Sequence, residues 1–172
     1  MRVNLGIVPA LLLAAGVAAV GVAAAPPVTK APRDFALRLR FGCSFLSDAI
    51  DTFRGEYVRD IGPQYAIQRT WLSFSGKEKA ELNQLATDAG FFDYPEEFRP
   101  ANAHAVEPSN LYELRVRSAG REHTVKWTDP VDDLGSGEPS AVRLRRLIGR
   151  IIQVAFAKPR VADLPPHGFS CL

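Results

Sequence analysis

From Phe35 to Phe41, apolar Phe35, Leu37, Leu39 and Phe41 alternate with Ala36, Arg38 and Arg40. A period of two marks a half-buried strand, and Gly42 is expected to end it. Residues 43–53 have no clear period and read as irregular chain or a short turn. Residues 56–61 (EYVRDI), set between Gly55 and Gly62-Pro63, predict a second strand. Residues 66–74 predict a third, with Thr70, Leu72 and Phe74 on one face and Arg69 and Trp71 on the other. The pattern then changes. Ser75 and Glu78 have the spacing of a capping box, in which each side chain satisfies a backbone amide of the other. Ala80, Leu82, Leu85, Ala86 and Ala89 follow at helical intervals up to Gly90, which predicts a helix over 76–89. Phe91, Phe92 and Tyr94 add an apolar plug, and 95–109 read as loop. Residues 111–117 and 121–127 alternate again around Ala119-Gly120, the strongest hairpin signal in the chain. Tyr112, Leu114, Val116, Val125 and Trp127 face inward. A last helical stripe, Leu144, Leu147, Ile148, Ile151, Ile152 and Ala155, ends before Pro159, with Arg143, Arg145, Arg146 and Arg150 on its outer side. The sum is β-β-β-α-β-β-α, an α+β two-layer sandwich whose mainly antiparallel sheet is covered by two helices.

The chain has 172 residues, 47% hydrophobic, with a formal net charge of +2. Much of the hydrophobicity lies at the start. Arg2 precedes an uncharged run from Leu5 to Ala25 that closes on Ala23-Ala24-Ala25. A basic start, an apolar stretch and a small-residue end form the pattern of a secretory signal peptide. Pro26 is a poor first mature residue, and about 20 apolar residues also span a bilayer, so an N-terminal membrane anchor is the rival reading. Either one places the remainder outside the cytoplasm, in the periplasm or secreted. Residues 26–33 (PPVTKAPR) read as a linker, and 34–172 as a single α+β domain with a C-terminal tail. Without residues 1–25 the chain holds 20 basic and 19 acidic residues. That balance argues against nucleic acid as a partner, for which a clustered basic excess is expected.

Catalytic signatures are absent. There is no phosphate loop, His-Glu-x-x-His or nucleophile elbow, so no catalytic residue, metal ligand or cofactor is assigned. His104, His123 and His167 lack the short spacing of a zinc pair, and His123 reads as a packed or edge histidine on a strand. Two surfaces remain. Asp48, Asp51 and Asp60, with Glu56, lie close to Cys43. Carboxylates so gathered can bind a cation or divide acid and base roles, which makes a hydrolase or metal-dependent enzyme the alternative function. The simpler expectation is that Asp51 and Thr52 accept bonds from local backbone amides. The second surface is the open sheet face. Arg38, Arg40, Arg69, Arg115, Arg117 and Lys126 point away from the apolar positions, with Trp71 and Tyr57 placed near them, against only Glu113 and Glu122. Such a face suits a partner protein, an anionic glycan or a lipid head group.

Gly42-Cys43 followed by Asp51-Thr52-Phe53-Arg54-Gly55, the phrase Gly90-Phe91-Phe92-Asp93-Tyr94-Pro95 after a helix, and Leu164-Pro165-Pro166 after the last helix together resemble a family of uncharacterised exported bacterial proteins. The resemblance covers most of residues 34–166. It implies one mature domain and brings no activity, substrate or cofactor. Its recurring Asp-Thr-Phe-x-Gly stretch makes Asp51, Thr52, Phe53 and Gly55 the residues expected at a site or an essential turn. The function expected is therefore that of an exported, non-enzymatic binding or inhibitor module of the cell envelope, with an envelope component or protein as partner. Membrane contact is expected only through residues 5–25.

Cys43 and Cys171 are the only cysteines. In an oxidising compartment such a pair reads as one disulfide. It would close a loop of more than a hundred residues, worth on the order of 4–5 kcal/mol in the chain-entropy model. Protein isolated from the exported fraction should resist alkylation at both positions until it is reduced, as read by mass spectrometry. Two alkylated thiols without reductant would exclude the bond.

Overall fold

The computed structural model describes residues 30–60, 66–100, 109–130 and 137–166. Seven strands form one sheet: β1 (Ala36–Cys43), β2 (Asp48–Asp51), β3 (Glu56–Arg59), β4 (Gln68–Trp71), β5 (Glu97–Phe98), β6 (Ser109–Ser118) and β7 (Arg121–Pro130). Their spatial order is β4-β3-β2-β1-β6-β7-β5. All pairs are antiparallel except the short β5–β7 edge, which is parallel. The helices are α1 (Gly76–Ala89), α2 (Pro139–Phe156) and the single turn α3 (Pro159–Ala162). The fold is α+β with a mostly antiparallel sheet, as the alternation required.

Several boundaries differ from expectation, among them β3, which ends at Arg59, and β7, which runs to Pro130. β1 runs through Gly42 to Cys43, and the expected third strand is paired only over Gln68–Trp71. Residues 43–53 are not all irregular, because they contain β2. Residues 95–109 are not all loop, because they contain β5 and the start of β6. β2 is short and has two aspartates, so its intrinsic strand preference is low. It is extended because β1 and β3 supply hydrogen-bonding partners on both sides. The chain enters β2 through a tight return after β1. A Cβ at Gly42 would stand 2.1 Å from the Phe45 carbonyl oxygen, so no larger residue fits there without moving that return.

The apolar positions of the strands meet both long helices on one side of the sheet. Leu37, Leu39, Ile50, Tyr57, Leu114, Val116, Val125 and Trp127 pack with Leu82 and Ala86 of α1 and Leu144, Leu147, Ile148, Ile151 and Val154 of α2. α1 begins and ends as expected. Ser75 accepts from the Glu78 N–H, Glu78 accepts from the Ser75 N–H, and Gly90 closes the helix in the left-handed region. Glu78 also accepts two bonds from Lys158 Nζ, at 2.7 and 2.8 Å, and Arg150 of α2 grips Glu81 of α1 with bonds of 2.7 and 2.9 Å. Asp34 ties the β6–β7 turn to the start of the domain by accepting the N–H groups of Ala119 and Gly120. The Gly120 bond is the main reason its carboxyl is held below the usual range.

One expectation about α2 is corrected. Arg145 is not on the outer side. Its guanidinium donates to both oxygens of Asp129, at 2.6 and 2.5 Å, and Asp129 is fully buried at the end of β7. Leu144 and Leu147 face the sheet, and a long side chain between them can still reach back toward it. The neighbouring Tyr112 phenol is pushed up to about 12, by burial first and by the Asp129 charge second. A bidentate pair desolvated on the carboxylate side is costly to halve. Arg145→Ala should destabilise the domain by about 3–5 kcal/mol in chemical denaturation, and Asp129→Leu with Arg145→Met by much less.

Candidate functional site

The Asp-Thr-Phe-x-Gly stretch is the β2–β3 turn. Asp51 ends β2, and its Oδ1 accepts the N–H groups of Phe53 and Arg54 at 2.9 and 3.1 Å. Thr52 reaches across to β1, where its Oγ1 accepts the Leu37 N–H at 2.7 Å and donates to the Leu37 carbonyl at 3.0 Å. The Thr52 N–H also donates to that carbonyl. Asp51 performs the local backbone work expected of it, whereas Thr52 differs from expectation, its hydroxyl bonding Leu37 on a neighbouring strand and not a local amide. Phe53 lies over the open sheet face, where the Arg115 and Arg117 guanidiniums stand 4.9 and 4.7 Å from its ring centroid. Both distances suit cation–π attraction.

The acidic stretch does not form one site. In the β1–β2 register Asp51 lies opposite Arg38 and Asp48 opposite Phe41. Three residues apart on one strand, the two aspartates project from opposite faces. Asp51 stands 3.7 Å from Arg38 Nε on the open side. Asp48 points toward the helices, where it accepts a bond from the Tyr57 hydroxyl, and Arg59 Nε is 3.9 Å from its carboxylate. Asp60 follows β3 and gives its backbone N–H to the Ser47 carbonyl. His123 does not join these carboxylates. Its Nε2 meets the Tyr94 carbonyl at 2.7 Å and its ring packs on Phe91. His104 and His167 lie outside the described residues, as do Cys171 and the leader at 1–25. Among the described residues no group of three or more His, Cys, Asp or Glu side chains is placed to hold a metal ion, no cysteine is free, and no helix is long and apolar enough to cross a membrane.

Tyr57 was expected near the open face and is instead buried on the helix side. Burial first, then the bond to Asp48, raise its hydroxyl well above the ordinary phenol value, so it remains a proton donor. Arg59 donates to the same hydroxyl at 3.2 and 3.0 Å, and its outer nitrogen reaches the Leu164 and Pro165 carbonyls at 3.4 and 3.0 Å. The Phe156 ring meets Tyr57 edge-on. This buried group joins β2 and β3 to the segment after α3, and the sequence pattern did not single it out. Its signal was the period of two in β3, which puts Arg59 on the same side as Tyr57.

The open face remains. Arg38, Arg40, Arg69, Arg115, Arg117 and Lys126 project from it as expected, and Arg54 joins them from the turn. The balance is less one-sided than six cations against two acids, because Asp51 and Glu56 also lie there. Arg40 meets Glu113 at 3.7 Å, Arg115 donates to Glu122 at 3.0 and 2.6 Å, and Glu56 stands between Arg54 and Arg69. Glu97 of β5 also lies there, opposite Lys126, so among the described residues seven cations face five carboxylates. At its outer edge Trp71 is 70% exposed and Ile67 52%. Among the described residues no helix covers this side of the sheet. The chain matches no model of a known protein family and no curated protein sequence.

The contacts of Thr52 make it a structural residue. Thr52→Val removes both side-chain bonds to Leu37 while keeping the shape, which leaves a Leu37 N–H short of a partner. A loss of about 1–3 kcal/mol is expected in chemical denaturation.

Proposed function

We propose that this is an exported, non-enzymatic binding domain of the cell envelope, and that its open sheet face docks a polyanionic envelope component. The observation that carries this reading is the separation of the sheet's two faces. One is packed under α1 and α2. The other presents Arg38, Arg40, Arg54, Arg69, Arg115, Arg117 and Lys126 with an exposed Trp71. Several of these cations are themselves exposed and meet partly exposed carboxylates only at 3.5–3.7 Å. Surface pairs of that kind contribute roughly 0–1 kcal/mol, so exchanging them for ligand anions costs little. Tryptophan and arginine are both enriched at interaction surfaces relative to the rest of a protein surface. Opposite-facing Asp48 and Asp51 give no support to an acid–base pair. The apolar run over residues 5–25 supports export, and export supports a Cys43–Cys171 disulfide that would hold the C-terminal tail near the end of β1.

Arg40→Glu with Arg115→Glu tests the proposal. Both side chains are partly exposed, so the domain should fold, as circular dichroism would verify. The parent protein should be retained on immobilised heparin and released by salt, as expected for screened charge contacts. The doubly reversed protein should elute at clearly lower salt. Equal retention of the two would exclude the face as a polyanion site.

A further inference from the structure

We propose that the hollow beside Trp71 binds a carboxylate-bearing sugar ring of an anionic glycan, a proposal that rests on the open face being a polyanion-binding surface. The hollow encloses about 200 Å³ and is lined by Arg54, Glu56, Arg69, Thr70 and Trp71. Drug-sized ligands need roughly 300 Å³ or more, so this space takes a single ring. The Trp71 indole forms part of its lining. The Trp71 ring edge lies 3.5–3.6 Å from where a Gly55 Cβ would be, which places the indole beside the β2–β3 turn while most of the side chain stays in solvent. The Leu72 N–H donates to the Gly55 carbonyl at 2.9 Å and fixes the strand carrying Trp71 to that turn. A solvent-facing aromatic plane suits the C–H face of a pyranose, because stacking removes apolar surface from water on both partners.

The polar rim narrows the class of sugar. Arg54 and Arg69 flank Glu56 at 3.6 and 3.5 Å. Direct charge-assisted bonds are about 2.7–2.9 Å long, so neither guanidinium is closed onto Glu56. Both keep donor edges for a ligand carboxylate, which arginine recognises bidentately. Glu56 in turn accepts from ring hydroxyls. It also leaves the three charged residues with a net charge of +1. That matches one carboxylate per ring and disfavours chains carrying dense sulfate or phosphate. A Cβ at Gly55 would meet the indole only at ordinary contact distance, so it is the φ of +69° that favours glycine beside the ring. The glycine of the Asp-Thr-Phe-x-Gly stretch thus has a place in the site as well as in the turn.

The test uses the full chain and an oligogalacturonate, with a neutral galactose oligomer and heparin as comparison probes. Trp71 and Trp127 are the two tryptophans, and Trp127 is 4% exposed, so emission quenched by acrylamide reports Trp71. Oligogalacturonate should shield that emission and bind in calorimetry. Trp71→Ala should weaken binding at least tenfold, Trp71→Phe much less, and Arg54→Gln with Arg69→Gln should abolish it. The neutral oligomer should not bind. Equal affinity for Trp71→Ala, equal affinity for the neutral oligomer, or absence of binding would each overturn the sugar site. If heparin retention still depends on Arg40 and Arg115 in that event, only the sugar site fails. If it does not, the wider proposal fails with it.

Discussion

A strand sends successive side chains to opposite faces, so covering one face of a sheet commits every second residue to a packed interior and leaves its neighbour outside. Here α1 and α2 both lie on one face. Leu37 and Leu39 are buried because that layer exists, and Arg38 and Arg40 are solvated because no helix among the described residues lies on the other side. The same rule separates Asp48 from Asp51 and Tyr57 from Glu56. The binding surface and the core therefore come from one set of strands, and neither can slip in register by one residue without exchanging places with the other.

The β2–β3 turn is where this constraint meets the candidate chemistry. Asp51 and Thr52 use their polar atoms on backbone groups, so they position the turn and do not offer it to a ligand. The fixed turn then carries Phe53 over Arg115 and Arg117, and sets Gly55 against the Trp71 ring. A short sequence motif can thus be structural in its first residues and lie beside a recognition surface in its last. Two buried polar groups close the packed side. Asp129–Arg145 joins β7 to α2, and Asp48–Tyr57–Arg59 joins β2 and β3 to the segment after α3. Each charge is paired where burying it alone would be costly.

Local chemistry explains which parts of the fold were legible. The α1 boundaries at 76 and 89 were readable because a capping box and a terminal glycine act within a few residues of themselves. The β6–β7 hairpin was readable because its alternation and its Ala119-Gly120 turn are contiguous. β2 was not, since its extended form comes from partners on β1 and β3. The inward Arg145 was not, since its partner Asp129 is 16 residues away and a helical wheel alone sends an arginine outward.

The sequence by itself determined the α+β class, both helical stripes, the cationic character of one sheet face and the local capping role of Asp51. Periodicity and turn chemistry are properties of neighbouring residues, and they survive in a linear string. Only the tertiary structure decided that Asp48 and Asp51 diverge, that Tyr57 belongs to the interior, and that Arg54, Glu56, Arg69 and Trp71 surround one hollow. Those facts depend on strand register and on which face the helices cover, and both are set by pairing between segments far apart in the chain.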